Sequence, residues 1–132
     1  MWNKLLTLAL MLLALLPCRA QGGSGRLLRF DPAIVQLGEI ESADGPVTVT
    51  FRFTNISDAA VSIVDVHAQC GCTEPEFSRA SIAPGQESSL RVILHTRDLS
   101  GPQKRNLTVI SSDGTRRRYS SISIECNVIQ QQ

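Results

Sequence analysis

Cys70-Gly71-Cys72-Thr73 places two thiols one glycine apart, directly after a segment that alternates like a β-strand. Sulfurs at that spacing can share a soft metal ion, cycle between dithiol and disulfide, or pin a loop. His67 extends the run to His-x-x-Cys-x-Cys, and two thiolates with an imidazole suit copper(I) or zinc. That set is one ligand short of a closed structural zinc site, and no second Cys or His pair stands at finger-like spacing. The plainer alternative makes His67 an exposed strand residue and the cysteines the fixings of a turn.

A third thiol, Cys126, complicates the pairing, because three cysteines beyond a leader cannot all pair within one chain. A Cys70 to Cys72 disulfide closes a very small ring, to which Gly71 would contribute unusual dihedrals. Cys126 is the other candidate disulfide partner. If the strand ending near Ala68, the strand from Gln103 and the last strand lie side by side, Cys126 falls near the cysteine loop. Two strand spacings are about 9.6 Å, beyond the usual disulfide limit unless the loop folds across the middle strand. Free or metal-bound thiols remain the third alternative.

Enzyme chemistry finds little support. A Cys-x-Cys pair can exchange disulfides if one thiolate is stabilised, but the Cys-x-x-Cys at a helix start that makes thioredoxin-like sites reactive is missing. There is no Gly-x-Ser-x-Gly elbow, His-Glu-x-x-His helix or phosphate loop. His95 falls on the outward parity of its strand, a position for a solvated side chain. Glu74 and Glu76 flank Pro75 in what reads as an extended polar loop. Asn55-Ile56-Ser57 and Asn106-Leu107-Thr108 match the N-glycosylation pattern, with Asn55 more simply a turn residue.

The 132 residues begin like an export signal. Residues 1–4 carry one positive charge, residues 5–16 are apolar but too short to span a bilayer, and Cys18-Arg19-Ala20 places a cut before Gln21. Leu15-Leu16-Pro17-Cys18 resembles a lipobox loosely, but Pro17 stands where a small residue is needed, so a lipid anchor at Cys18 is disfavoured. Losing residues 1–20 removes Lys4 and Arg19, leaving 11 basic against 12 acidic residues. That balance argues against nucleic-acid binding. Arg116-Arg117-Arg118 reads as a solvated hairpin shoulder. Trp2 goes with the leader, and the few remaining rings argue against a sugar-stacking platform.

The elements that must position these residues are strands. Val47, Val49, Phe51 and Phe53 alternate with Thr48, Thr50, Arg52 and Thr54, up to the turn-prone Asn55-Ile56-Ser57-Asp58. Val61 and Ile63 begin another strand that Val64 and Val66 continue on the opposite parity, predicting a β-bulge near Asp65. Leu90, Val92 and Leu94 follow the turn at Ala83-Pro84-Gly85-Gln86, and Gly101-Pro102 predicts a further break. Leu107 and Val109, the Asp113-Gly114 turn, and Ile122, Ile124, Cys126 and Val128 complete a hairpin. Residues 34–40 supply an opening strand kinked at Gly38. The pattern predicts one domain, an all-β immunoglobulin-like sandwich of about seven antiparallel strands, over residues 26–129. Residues 21–25 form a flexible lead-in and residues 130–132 a polar tail.

Phe30 with Leu37-Gly38-Glu39-Ile40, Phe51-Arg52-Phe53-Thr54-Asn55, Cys70-Gly71-Cys72-Thr73-Glu74-Pro75 and Ile82-Ala83-Pro84-Gly85 occur in an order that resembles a bacterial secreted family, domain of unknown function fifteen-seventy-three. The resemblance covers residues 30–129. It implies an immunoglobulin-like or major-sperm-protein-like fold and export, as in Bacteroidetes and related bacteria, sometimes as lipoproteins, and it implies no reaction. Cys126 departs from the pattern, which leads one to expect glycine there.

These readings converge on an exported, periplasmic or extracellular, non-enzymatic interaction or structural module. It has an envelope protein as partner, no nucleic acid, no membrane span after leader removal, no catalytic residues and no expected cofactor. The alternatives are copper or zinc binding through His67, Cys70 and Cys72, and thiol–disulfide exchange at Cys70 and Cys72.

Overall fold

Residues 47–55 show how this chain makes a sheet: β-branched and aromatic residues on one parity, threonines and an arginine on the other. In the computed structural model, which describes residues 25–130, Val49, Phe51 and Phe53 are buried while Thr48, Thr50 and Arg52 are exposed. The leader expected over residues 1–20 and the candidate anchor Cys18 lie outside the described residues. Among those residues, no helix is long and apolar enough to cross a membrane.

Eight strands form among the described residues: β1 (Leu28–Phe30), β2 (Ile34–Glu41), β3 (Val47–Asn55), β4 (Ser62–Ala68), β5 (Thr73–Glu76), β6 (Glu87–Leu94), β7 (Gly101–Ser112) and β8 (Arg117–Ile129). They build two four-stranded sheets, ordered β1-β3-β6-β5 and β2-β8-β7-β4. The inner faces meet in a core that includes Phe51, Leu90, Val92, Leu107, Val109, Ile122 and Ile124, all at 0–1 % exposure. Each such side chain stabilises the fold by about 1.5–3 kcal/mol through burial.

The β-sandwich agrees with the sequence pattern, with three differences of detail. The strands number eight because the four-residue β5 forms where Pro75 suggested a loop, pairing Thr73 with Leu94 and Pro75 with Val92. Proline fits there because β5 is an edge strand with one neighbour. Not every pair is antiparallel: β2 runs parallel to β8, from Ile34 opposite Ser123 to Glu41 opposite Ile129. Gly101-Pro102 opens β7 instead of breaking the chain. Proline is accepted because β4 pairs with β7 only from Leu107 onward, leaving residues 101–106 with a neighbour on one side.

Both predicted irregularities occur. The β4 register shifts between Ile63 and Asp65, and Val64 is left over. The β2 register shifts between Gln36 and Gly38, where Gly38 takes φ +68°, a conformation glycine adopts without penalty. The predicted tail is anchored at its first residue: Gln130 accepts a hydrogen bond from the Ser42 hydroxyl and donates to the Leu99 carbonyl.

Candidate functional site

The cysteines sit where the chain changes sheets. β4 ends with Ala68 opposite Leu107 in one sheet, and β5 begins with Thr73 opposite Leu94 in the other. Residues 69–72 make that crossing, and Thr73 closes it, its backbone N–H and hydroxyl both donating to the Cys70 carbonyl at 3.2 and 3.0 Å. The backbone N–H of His95 donates to the Cys72 carbonyl at 2.8 Å, tying the crossing to the end of β6. Thr73 is buried at 5 % exposure, which accounts for the fourth residue of the Cys-Gly-Cys-Thr element.

Cys70 and Cys72 are bonded to each other, with Cα atoms 5.2 Å apart. Each sulfur also accepts a hydrogen bond: the Cys72 N–H reaches Cys70 Sγ at 3.1 Å, and Arg105 Nε reaches Cys72 Sγ at 3.1 Å. The Arg105 guanidinium is oriented by the Gln103 side-chain carbonyl and the Lys104 backbone carbonyl. Cys72 packs on the core, whereas Cys70 stands outside it. The φ of Gly71 lies outside the left-handed region, and a Cβ there would meet nothing within 4 Å. The turn is therefore uncovered at this position.

Cys126 is not the partner of either cysteine. It is a free thiol on β8 at 8 % exposure, opposite Gln103 of β7. The order β8-β7-β4 was expected, and the middle strand presents Arg105 toward the disulfide, occupying the approach that a bridge would need. Burial pushes the Cys126 thiol up, with Arg105 pulling the other way.

His67 does not join the cysteines. Its ring is 66 % exposed and faces the Asp65 carboxylate, Nε2 to Oδ2, at 3.3 Å. His95 Nε2 lies 3.1 Å from Glu74 Oε2, and Arg91 Nη2 lies 2.7 Å from Glu76 Oε2. Among the described residues no group of three or more His, Cys, Asp or Glu side chains converges as a metal site. Sulfurs bonded to each other are not the thiolates that copper(I) or zinc requires, so the donor set of His67, Cys70 and Cys72 does not fit a metal in this state.

Arg105 is the site residue that sequence reading passed over. Its signal was parity: Gln103, Arg105, Leu107 and Val109 share one face of β7, so the arginine points toward the core side where an apolar residue would be routine. Arg116 instead serves the hairpin, with its Nε and backbone N–H on the Asp113 carboxylate.

Two facing sheets with strands switching between them define an immunoglobulin-like sandwich. The chain belongs to the family of proteins of unknown function DUF1573, whose model matches residues 28–128. A sequence search of curated proteins finds no match. Among solved structures, the VesB protease of Vibrio cholerae superposes with TM-score 0.65 at 16 % identity, over 78 % of this chain and 32 % of that one. A protein of unknown function from Porphyromonas gingivalis W83 gives 0.64 at 13 % identity, over 76 % and 46 %. The ASH/PapD-like domain 7 of human CEP192 gives 0.63 at 6 % identity, over 80 % and 87 %. The chain thus spans less than half of the first two structures, and at these identities the likeness is one of fold.

Proposed function

We propose that this chain is an exported, non-enzymatic protein-interaction module of the bacterial cell envelope that pairs an extended segment of a partner with the outer edge of β2. The observation that carries this reading is the inequality of the four sheet edges. β1 has three residues and β5 has four with a proline, both too short or interrupted to template a strand. β4 is partly covered, since Arg79 donates to the Val64 carbonyl and Val61 bridges to Ile82. β2 is eight residues long, pairs among the described residues with β8 alone, and exposes Ile34 at 52 %. Beside its bulge, Gln36, Gly38 and Glu39 border a shallow depression of about 500 Å³ with Gln103, Cys126 and Asn127. Strand addition at such an edge uses main-chain hydrogen bonds for affinity and side-chain pockets for selectivity.

The leader-like first twenty residues support export, and the family supports a bacterial setting. The non-enzymatic reading is supported by the pairings seen at both histidines, each of which faces a carboxylate. A photo-crosslinking residue at Ile34, compared in the native bacterium with one at the exposed Thr50 on the other sheet, tests the docking edge. A discrete protein adduct specific to position 34 is expected. No adduct at 34, or the same adducts at both positions, would overturn the reading.

A further inference from the structure

The hydrogen bonds around the disulfide carry an inference separate from the strand edge. A disulfide that serves only as a staple needs no charged donor on its sulfur, yet the Arg105 Nε–H lies 3.1 Å from Cys72 Sγ. The two sulfurs are also unlike in access: Cys72 packs on the core beneath Arg105, while Cys70 lies outside the core beside the uncovered Gly71. We propose that Cys70–Cys72 is a thiol–disulfide exchange site for a client dithiol, with Cys70 the attacked sulfur and Cys72 the leaving thiolate held by Arg105.

A thiolate of the client attacks Cys70 Sγ in line with the S–S bond. A mixed disulfide forms at Cys70, and the electron pair of the broken bond stays on Cys72 Sγ, where the guanidinium stabilises it. The second client thiolate then attacks its own partner sulfur in the mixed disulfide and releases Cys70, which takes up a proton. The client's two thiols end as a disulfide, having lost two electrons and released two protons to solvent, and the chain gains the two electrons as a Cys70 thiol and a Cys72 thiolate, which becomes a dithiol when Cys72 takes up the second proton. A leaving thiolate stabilised by a cation departs faster, which gives Arg105 a rate effect as well as a positional one. Cys126 is buried on β8, and burial pushes its thiol up against the pull of Arg105, which disfavours it as a competing nucleophile. The other titratable groups adjoining the turn, His95 and Glu74, are paired with each other.

Reduction of the purified chain by dithiothreitol at neutral pH, followed by mass after alkylation, tests this in a Cys126→Ala background. The reduced protein's thiolate absorbance across pH is the companion measurement. The wild-type loop is expected to be reduced at least about 10-fold faster than a peptide of residues 69–74, with Cys70 carrying the mixed disulfide when glutathione is the attacking thiol. Arg105→Gln is expected to slow reduction about 10-fold and raise the pH of half-ionisation of one thiol by about one, and Arg105→Lys should recover most of both. A purely structural arginine would leave the ionisation unmoved. A loop reduced no faster than the peptide, a mixed disulfide on Cys72, or an Arg105→Gln protein with unchanged rate and ionisation would each overturn the proposal. The peptide comparison and the site of the mixed disulfide need no arginine variant, so a misfolded Arg105→Gln leaves the test decisive.

Discussion

The two crossings that bracket β4 do the same topological job with different chemistry. Between β3 and β4 the chain leaves one sheet at Asn55, and between β4 and β5 it returns through the disulfide. Asn55 is 1 % exposed and makes six hydrogen bonds. Its backbone exchanges with Gln86 and Gly85, its Nδ2 donates to the Ala59 and Ile82 carbonyls, and its Oδ1 accepts from the Ser57 N–H and hydroxyl. Every donor and acceptor of that residue is spent inside the protein. At the other crossing the covalent bond lies in a half-buried turn, with one sulfur under a cation and open space above Gly71. A saturated buried amide has nothing left to offer a ligand, whereas a sulfur pair with a charged donor and an open side retains chemistry. The difference separates a fixed corner from a reactive one.

Asn55→Ala should have the largest effect on stability. It removes four side-chain hydrogen bonds at a buried position, leaving the Ala59 carbonyl to the Ser57 hydroxyl, the Ile82 carbonyl to the Val61 N–H and the Ser57 N–H without its acceptor, and such losses cost about 2–4 kcal/mol, or of the order of 10–20 °C in Tm for a domain of this size. Urea and thermal unfolding would measure it. Replacing both Cys70 and Cys72 by Ser should cost at most about 1.5 kcal/mol, because a ring of so few residues removes little entropy from the unfolded chain. If the double serine variant proves the less stable of the two, the disulfide is the principal staple and the contrast between the corners fails.

The same contrast explains what could be read from sequence. Asn55 was legible as a turn residue because its partners Ser57 and Ala59 are local, and local hydrogen bonding is what makes asparagine a turn residue. The alternating strands, the Asp65 bulge and the Gly38 kink were legible because period two and its breaks are written along one chain. The parallel pairing of β2 with β8 was not, since their partners are nearly ninety residues apart and no local pattern encodes that choice. β5 was hidden because Pro75 is excluded from inner strands and tolerated only at an edge, and edges are assigned by tertiary order. At the reactive corner the Cys-Gly-Cys-Thr turn could be seen, but Arg105 lies 33 residues beyond Cys72 and reaches it only because β7 lies beside the end of β4. His67 matched a ligand by spacing, yet Asp65, two residues earlier on the same face of β4, is the neighbour its ring meets instead.

Gly71→Ala sharpens the comparison with a smaller change. The backbone at Gly71 is outside the left-handed region and the added methyl meets nothing, so the substitution should leave stability unchanged or raise it by about 0.5 kcal/mol through the unfolded chain. The methyl nonetheless projects into the space above the turn. A thiol approaching the sulfurs should therefore react more slowly with the variant than with the wild type, while thermal unfolding shows no loss. A drop of more than about 1 kcal/mol in stability would show that the glycine is required for the turn itself.

The smallest effect lies at the Asn55 end, in the hairpin that follows the pairing of Ser62 with Ser112, and it asks whether the two corners respond independently. The Asp113 carboxylate accepts the backbone N–H groups of Arg116 and Thr115 and the Arg116 Nε–H, which lower its pKa from 3.8 to about 2. The folded value lies below the unfolded one, so this turn's contribution is fully present above about pH 4 and is lost as pH falls through 2. An NMR titration of Asp113 should show a midpoint near 2, and Arg116→Ala should raise it only part of the way to 3.8, because the backbone donors survive. The amides of Cys72 and Thr73 should not move in that step, since acid acts on this hairpin and thiol reagents act on the opposite corner. A midpoint near 3.8 would remove the turn's charge-assisted closure, and cysteine-loop amides shifting in the same step would couple the two ends through β4 and β7.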